Sequence, residues 1–325
     1  MVTELERASA LEAVQAASAM CAAAQGRLVA GDTLTKGDES PVTVADFAAQ
    51  AVVVASLTER LGIVELVGEE DPDDLASADR STLRDGVVSL VAGQLGRQIA
   101  DQQVLDWIGA GGSDGTTGRY WTLDPIDGTK GFLRGDQYAI ALALIEDGEV
   151  VLGALGCPNL PGADGSTGAV FLTTDSGTDA DPTAGSVGHP VRVAEPASLA
   201  VARFCESVES GHSDHDQSAR IVERLGIAVE PFRIDSQCKY AAVARNDASI
   251  YLRLPTRADY QEKIWDHAAG SIIVECAGGR VSDADGKPLD FTCGPTLARN
   301  SGVVATCGSI HDEVIASVVR VRAAS

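Results

Sequence analysis

The chain has 325 residues, 45% hydrophobic and 22% charged, an ordinary globular composition that excludes general disorder and fibrous repeats. Twenty-five basic side chains against 47 acidic ones leave a formal net charge of −22, a field that opposes DNA, RNA and anionic membrane surfaces as partners. A small phosphorylated substrate stays compatible with that field where cations reverse its sign locally.

The length suits about two domains. With aromatics at 4%, the core has to rest on Ala, Val, Leu and Ile. Thr3-x-x-Glu6 has the capping-box pattern, and Leu5, Ala8, Leu11, Val14, Ala17 and Cys21 follow at helical spacing. This N-terminal segment lacks a secretory apolar core and is acidic, unlike a transit peptide, so a cytoplasmic location is expected. Plastid or mitochondrion is the alternative if a targeting peptide has been removed. A second helix is expected from about Asp46 to Leu61, stopped by Gly62. Ile63–Val67 reads as a strand running into Gly68-Glu69-Glu70.

Residues 71–80 read as an acidic loop, with a weakly amphipathic helix behind them to about Arg97. Gly109, Gly111, Gly112, Gly115 and Gly118 mark another loop before a short strand, Tyr120–Leu123. Tyr138–Ile145 and Glu149–Gly156 flank Glu146-Asp147-Gly148 as a hairpin. Thr174–Pro190, rich in Asp, Gly, Thr and Ser, reads as a linker or long loop, dividing the chain into residues 1–190 and 191–325. Beyond it helical and strand-like segments alternate, as in an α/β layer. No run approaches about 18 consecutive apolar residues, so no membrane span is expected. Cys21, Cys157, Cys205, Cys238, Cys276, Cys293 and Cys307 are odd in number and form no CxxC pair, which favours reduced thiols over a disulfide framework or zinc ribbon.

The chemistry concentrates in Trp121-Thr122-Leu123-Asp124-Pro125-Ile126-Asp127-Gly128-Thr129. Pro125 sets a bend between two acids, and Gly128-Thr129 can aim backbone N–H groups at an anion. Hard divalent ions take carboxylate oxygens, and two together clamp the attacking and leaving oxygens of a phosphoryl group. Alone, a DxxDGT reads equally well as a helix-capping turn. Glu69-Glu70 alone reads as a solvated strand end, and Asp46 as a helix cap. Trp265-Asp266-His267-Ala268-Ala269-Gly270 places an acid at the entry to Ala268–Cys276, an apolar segment that reads as a buried helix ending at Gly278-Gly279.

In combination these segments resemble the lithium-sensitive, magnesium-dependent phosphatase superfamily of inositol monophosphatase and fructose-1,6-bisphosphatase. Its pattern is a strand ending in Glu-Glu, then DP(I/L)DGT, then WDxAA far downstream. More narrowly, the chain resembles the 3′(2′),5′-bisphosphate nucleotidases of yeast and plants. That likeness is carried by Ser40–Asp46, Asp124–Tyr138, Gly211-His212-Ser213, Asp235–Tyr240, Tyr251-Leu252-Arg253 and Glu262–His267. Arg134-Gly135-Asp136 lies inside it, so an adhesion reading of that tripeptide is set aside.

The resemblance implies a layered α-β-α-β-α sandwich, an α+β N-terminal half joined to an α/β C-terminal half. It implies two to three Mg²⁺ ions per site. One lies on Glu69, Asp124 and the Ile126 carbonyl, and a second on Asp124, Asp127 and Asp266. A looser third sits near Asp46 and Glu69. Thr129 and Asp46 would orient and deprotonate the water nucleophile. Gly128, Thr129, His212, Ser236, Lys239, Arg253 and Asp266 would hold the substrate, with Lys239 and Arg253 chemically suited to a second phosphate. The expected reaction is release of the 3′-phosphate of adenosine 3′,5′-bisphosphate, with 3′-phosphoadenylyl sulfate as a second substrate. An inositol mono- or polyphosphate 1-phosphatase is the alternative. An inactive phosphate sensor is disfavoured, since every metal acid and Thr129 are present. The expected partner is a small molecule, without nucleic acid or membrane, for a monomer or else a dimer.

Overall fold

The capping box closes as its residues predict. Thr3 N–H donates to Glu6 Oε2 at 2.7 Å, and Glu6 N–H donates to Thr3 Oγ1 at 3.2 Å. Helix α1 (Glu4–Val29) follows, packed against α2 (Pro41–Leu61). The computed structural model describes residues 1–29, 41–161, 165–182, 188–196, 198–208, 215–255, 257 and 259–324. Helix α2 begins at Pro41, where its fixed φ suits the first helical position, and not at Asp46. Asp46 therefore lies inside the helix, 5% exposed, and the cap reading is wrong. Val42–Leu61 is long and apolar enough to cross a membrane by length and composition, but 72% of that window is buried inside the fold, as in a core helix.

The first strand is shorter than its apolar run suggests. Only β1 (Leu66–Gly68) finds a partner, and Ile63 stands 96% exposed. The acidic loop contains one helical turn, α3 (Asp73–Ala76), ahead of α4 (Ser81–Leu95). A further helix, α5 (Asp101–Gly109), occupies a stretch with no helical expectation. It buries Val104 and Ile108 on one side, a short stripe easily missed beside the glycines that follow.

Next come β2 (Arg119–Asp127), a short helix α6 (Thr129–Arg134), β3 (Ala139–Glu146) and β4 (Glu149–Pro161). The hairpin at Glu146-Asp147-Gly148 stands as expected, with Asp147 and Gly148 both at positive φ. The proposed linker is largely sheet. Strand β5 (Thr167–Thr174) pairs with β6 (Gly177–Pro182), and β6 with β7 (His189–Val191), while residues 183–187 lie outside the described set. Strands β1 to β7 form one sheet in sequence order, antiparallel except for the parallel β1–β2 pair.

Strand β3 shows why this sheet is buried on both faces. Ile140, Leu142 and Leu144 point to the α1/α2 side, whereas Ala139, Ala141, Ala143 and Ile145 point to the other. On β4, a Cβ at Gly156 would meet Ser18 Oγ of α1 at 2.2 Å, and one at Gly153 would meet Ile272 Cγ2 at 2.5 Å, so these glycines admit helices from opposite faces.

The second half adds β8 (Phe204–Glu206), α7 (His215–Leu225), β9 (Phe232–Arg233), α8 (Cys238–Ala244) and β10 (Ile250–Arg253). It closes with α9 (Ala268–Cys276), β11 (Arg280–Ser282), β12 (Val303–Thr306) and α10 (His311–Ala323). Its sheet runs β11-β12-β10-β8-β9. Helices α8 and α9 fill the space between the two sheets, and α7 and α10 cover the outer face of the second. The result is the expected α-β-α-β-α layering, with α9 running over Ala268–Cys276 as its apolar segment predicts.

Candidate active site

Most acids of the candidate site enter at or near the end of an element, whereas Asp46 sits inside α2. Strand β2 keeps register with β3 to the Asp124–Ala141 pair, then gains one residue before Asp127 pairs with Ala139. This bulge at Pro125-Ile126 re-aims the strand end, and Gly128 follows at φ 90° before α6 begins at Thr129. A Cβ on Gly128 would also stand 2.9 Å from Ser236 Cβ, so glycine here lets the two halves meet. Ser236 itself holds φ 64°, a left-handed conformation rare outside glycine.

Glu69 and Glu70 leave β1, and Gln50 on α2 ties them down. Gln50 Nε2 donates to the Glu70 carbonyl at 2.8 Å and to the Ile108 carbonyl at 2.9 Å, while its Oε1 accepts the Glu70 N–H at 3.2 Å. Asp46 lies one turn before Gln50 on the same face of α2. Asp266 comes from the opposite half, just ahead of α9.

A cleft of about 260 Å³ opens where these ends converge. Glu69, Asp124, Ile126, Asp127, Gly128, Thr129, Ser236, Lys239, Arg253 and Asp266 all line it, so ten of the residues singled out in the sequence come together. Asp46 does not line the cleft; it sits behind, close enough for its charge to act on Asp124. His212 lies outside the described residues.

The acids disturb one another strongly. Burial, then Glu69, Asp127, Asp266 and Asp46, push the Asp124 carboxyl well above the usual range. Asp127 is pushed up to about 6 by burial and Asp266, against the pull of Lys239 and Arg253. Glu69 rises to about 7 through dehydration by the surrounding walls and through Asp266 and Asp127, although its outer edge is open to solvent. Burial, Glu70 and Glu69 raise Asp46 well above its ordinary value. Asp46 Oδ1 and Asp124 Oδ1 are buried without a hydrogen-bond partner. An all-oxygen set of clustered acids with unsatisfied buried oxygens fits hard divalent cations.

Cationic side chains line the same cleft beside the acids. Lys239 is 5% exposed, with Nζ 5.3 Å from the centroid of the Tyr251 ring. Burial lowers its pKa, while Asp127 favours its charge. Arg253 lines the cleft too, and two of its guanidinium nitrogens already have carboxylate partners. Its Nε meets Glu262 Oε2 at 2.8 Å and its Nη2 meets Asp266 Oδ2 at 3.0 Å. Glu262 is further held by His267 Nε2 at 3.0 Å, and His267 Nδ1 meets Tyr240 Oη at 2.7 Å. Burial opposes the Arg253 charge, but Asp266 and Glu262 outweigh it and raise its pKa. Arg134 of the Arg-Gly-Asp tripeptide pairs with Asp136 and Asp235.

Sequence reasoning missed Gln50, Gln237 and Glu262 as parts of this site. The available signal for Gln50 was a lone amide four residues after an acid in an otherwise apolar helix. Gln237 and Glu262 lay inside quoted motifs, but Gln237 is a neutral amide and the partners of the Glu262 carboxylate come together only in the fold, so nothing assigned them a role.

The inositol monophosphatase family pattern matches residues 2–323. A 3′(2′),5′-bisphosphate nucleotidase of Emericella nidulans is 42% identical, covering 99% of this chain and 99% of its own. One from Schizosaccharomyces pombe is 42% identical over 99% of this chain and 97% of its own, and one from Oryza sativa 41% over 96% and 93%. Among solved structures, an inositol monophosphatase from Anabaena superposes with a TM-score of 0.62 at 20% identity, covering 97% of this chain and 95% of its own. Mycobacterium tuberculosis SuhB does so at 0.62 and 20%, covering 97% and 96%. These two show the layered fold. A sequence match that runs nearly end to end, on a fold shared with such structures, means that the chain belongs to the inositol monophosphatase family.

Proposed function

We propose that the chain is a Mg²⁺-dependent phosphatase that removes the 3′-phosphate of adenosine 3′,5′-bisphosphate, giving AMP and phosphate. The family is generally metal-dependent, and the curated relatives at 41–42% identity are named 3′(2′),5′-bisphosphate nucleotidases. The observation that carries the reading is the polarity of the cleft. Four acids, Glu69, Asp124, Asp127 and Asp266, line it together with a buried lysine, Lys239. A substrate with two phosphates matches both kinds of group, one phosphate through cations held by the acids and one through Lys239 directly.

In this reading Glu69, Asp124, Asp127, Asp266 and the Ile126 carbonyl hold two or three Mg²⁺ ions. Bound there, the ions neutralise phosphate charge and acidify water. Thr129, exposed at the cleft, orients the attacking water through its hydroxyl. Asp46, outside the cleft lining, takes up the proton relayed through the Thr129 hydroxyl, since burial and Glu70 make its carboxylate a stronger base than an ordinary aspartate. Water oxygen bonds to phosphorus from the side opposite the 3′-oxygen, the ester P–O bond breaks, and the 3′-oxygen leaves and takes a proton from solvent, to which Asp46 returns the one it accepted. No covalent enzyme intermediate is formed. Lys239 and Ser236 bind the 5′-phosphate, and Arg253 steadies Asp266. The same contacts accept 3′-phosphoadenylyl sulfate.

Phosphate release from adenosine 3′,5′-bisphosphate and from inositol 1-phosphate, side by side with and without Mg²⁺, tests the reading. Mg²⁺-dependent preference for the bisphosphate is expected. Equal or faster turnover of inositol 1-phosphate would replace the bisphosphate assignment.

A further inference from the structure

Gln237, 2% exposed just ahead of α8, touches both sides of the candidate site through hydrogen bonds. Its backbone N–H donates to Asp127 Oδ2 at 2.5 Å. Its Nε2 donates to the Trp265 carbonyl at 2.8 Å, and its Oε1 accepts the Gly270 N–H at 3.0 Å. Trp265 immediately precedes Asp266. Gly270 lies in the first turn of α9, where backbone N–H groups have no helical acceptor. One amide thus grips the chain before and after Asp266, while the same residue's peptide holds Asp127.

The chemistry of that grip suits its place. Asp127 and Asp266 carry like charge and push apart. A cationic tie between their segments would neutralise charge that a bound cation requires, and a carboxylate tie would add repulsion. A neutral amide offers one donor and one acceptor without altering the charge. Gly270 helps by size as well, because a Cβ there would collide with the Tyr240 side chain at 2.2 Å. The segment around Asp266 is therefore held tight against α8.

We propose that Gln237 is a positioning residue that fixes Asp127 and Asp266 at the spacing at which both reach one divalent cation. The inference rests on the metal-dependent reading above and adds to it a residue that touches neither substrate nor ion. Partners of this kind that orient metal ligands are worth about 10–100-fold in metal affinity.

Calorimetric titration of Mg²⁺ into the substrate-free protein reads the spacing apart from turnover. Gln237→Met keeps the side-chain volume and removes both of its hydrogen bonds. The expected result is Mg²⁺ binding weakened about tenfold or more, with a parallel rise in the Mg²⁺ needed for half-maximal activity. KM at saturating Mg²⁺ should stay within about twofold, since substrate contacts are intact. If circular dichroism shows Gln237→Met unfolded, Gln237→Asn, whose amide is one methylene too short to span both partners, carries the same measurement with the same expected direction. Parental Mg²⁺ affinity in a folded variant, whatever its unfolding midpoint, makes Gln237 a packing residue and overturns the proposal. A parent protein that neither binds Mg²⁺ nor releases phosphate overturns the metal-dependent reading itself, and the role of Gln237 falls with it.

Discussion

Asp266 stands between two demands, paired with Arg253 on one side and facing Glu69 and Asp127 on the other. A helix cap would need only one of these. Asp266→Asn keeps the shape and an acceptor for Arg253 but removes the charge offered to a cation. Turnover should fall about a hundredfold or more, while the melting temperature in EDTA is unchanged or higher because repulsion is relieved. Near-normal turnover at ordinary Mg²⁺ would take Asp266 out of the metal set. Lys239 makes the complementary case. Removing one partner of a buried ionic contact costs about 2 kcal/mol or more, about thirtyfold in affinity. Lys239→Ala should raise KM for adenosine 3′,5′-bisphosphate by about that factor with a smaller effect on kcat, and leave inositol 1-phosphate almost unaffected. Equal losses on both substrates would make Lys239 structural.

At the scale of elements, the site depends on how β2 ends. The bulge at Pro125-Ile126, the left-handed Gly128 and the start of α6 at Thr129 form one continuous turn against Ser236. Alanine at 128 would meet both a disfavoured φ and a 2.9 Å contact. Gly128→Ala should therefore destabilise the protein by about 1–3 kcal/mol, read as a lower urea midpoint. It should also depress kcat, because Thr129 and Asp127 move with the turn. A variant with parental midpoint and kcat would show that the turn yields easily. Helix α2 has a comparable role on the other side of the sheet. One of its faces carries both Asp46 and the Gln50 clamp, so the buried acid and the Glu69-Glu70 corner share a single rigid support.

For the whole molecule, crowding acids into the junction ties stability to pH and to cations. Glu69 and Glu70 are pushed up to about 7 and Asp127 to about 6. In the unfolded chain such groups titrate near about 4. Between these values the folded state binds more protons than the unfolded one, so metal-free stability falls as pH rises from about 4 to about 7. His311, held down to about 4 by burial, works the other way with one proton against those three acids. Asp290, lowered to about 2, acts only below this window. Melting temperatures in EDTA should therefore drop between about pH 5 and pH 7, and Mg²⁺ should restore them, most strongly at the upper end. A flat or rising profile in EDTA would mean that the acids do not repel as their placement requires.

Much of this protein was legible before folding because the relevant information is local. The Thr3–Glu6 capping box, the period-2 run of β3, the hairpin turn at Asp147-Gly148 and the apolar stretch of α9 each involve neighbours in sequence. The DxxDGT and WDHAA segments were equally plain, and so were ten of the residues that line the cleft. The errors came where a residue's role depends on what covers it. Ile63 looks like strand but has no partner across the sheet edge, and Asp46 looks like a cap until α2 is seen to begin at Pro41. The 174–190 stretch looks like linker, yet part of it pairs as β6 and β7. Nothing local to Arg253 shows that Glu262 and Asp266 from another segment take its Nε and Nη2 while it lines the cleft. Gln50 and Gln237 carry no charge and no motif chemistry of their own. Their side-chain hydrogen bonds reach segments 20 to 58 and 28 to 33 residues away. Sequence by itself determined a mixed α and β chain of about two domains and, through motifs that resemble a known family, the layered fold class, the family and the candidate acids, because those motifs are short and local. The tertiary structure alone decided which of those acids are buried, what neutral groups hold them, and how closely they crowd, because burial and repulsion act through space between residues that the chain keeps far apart.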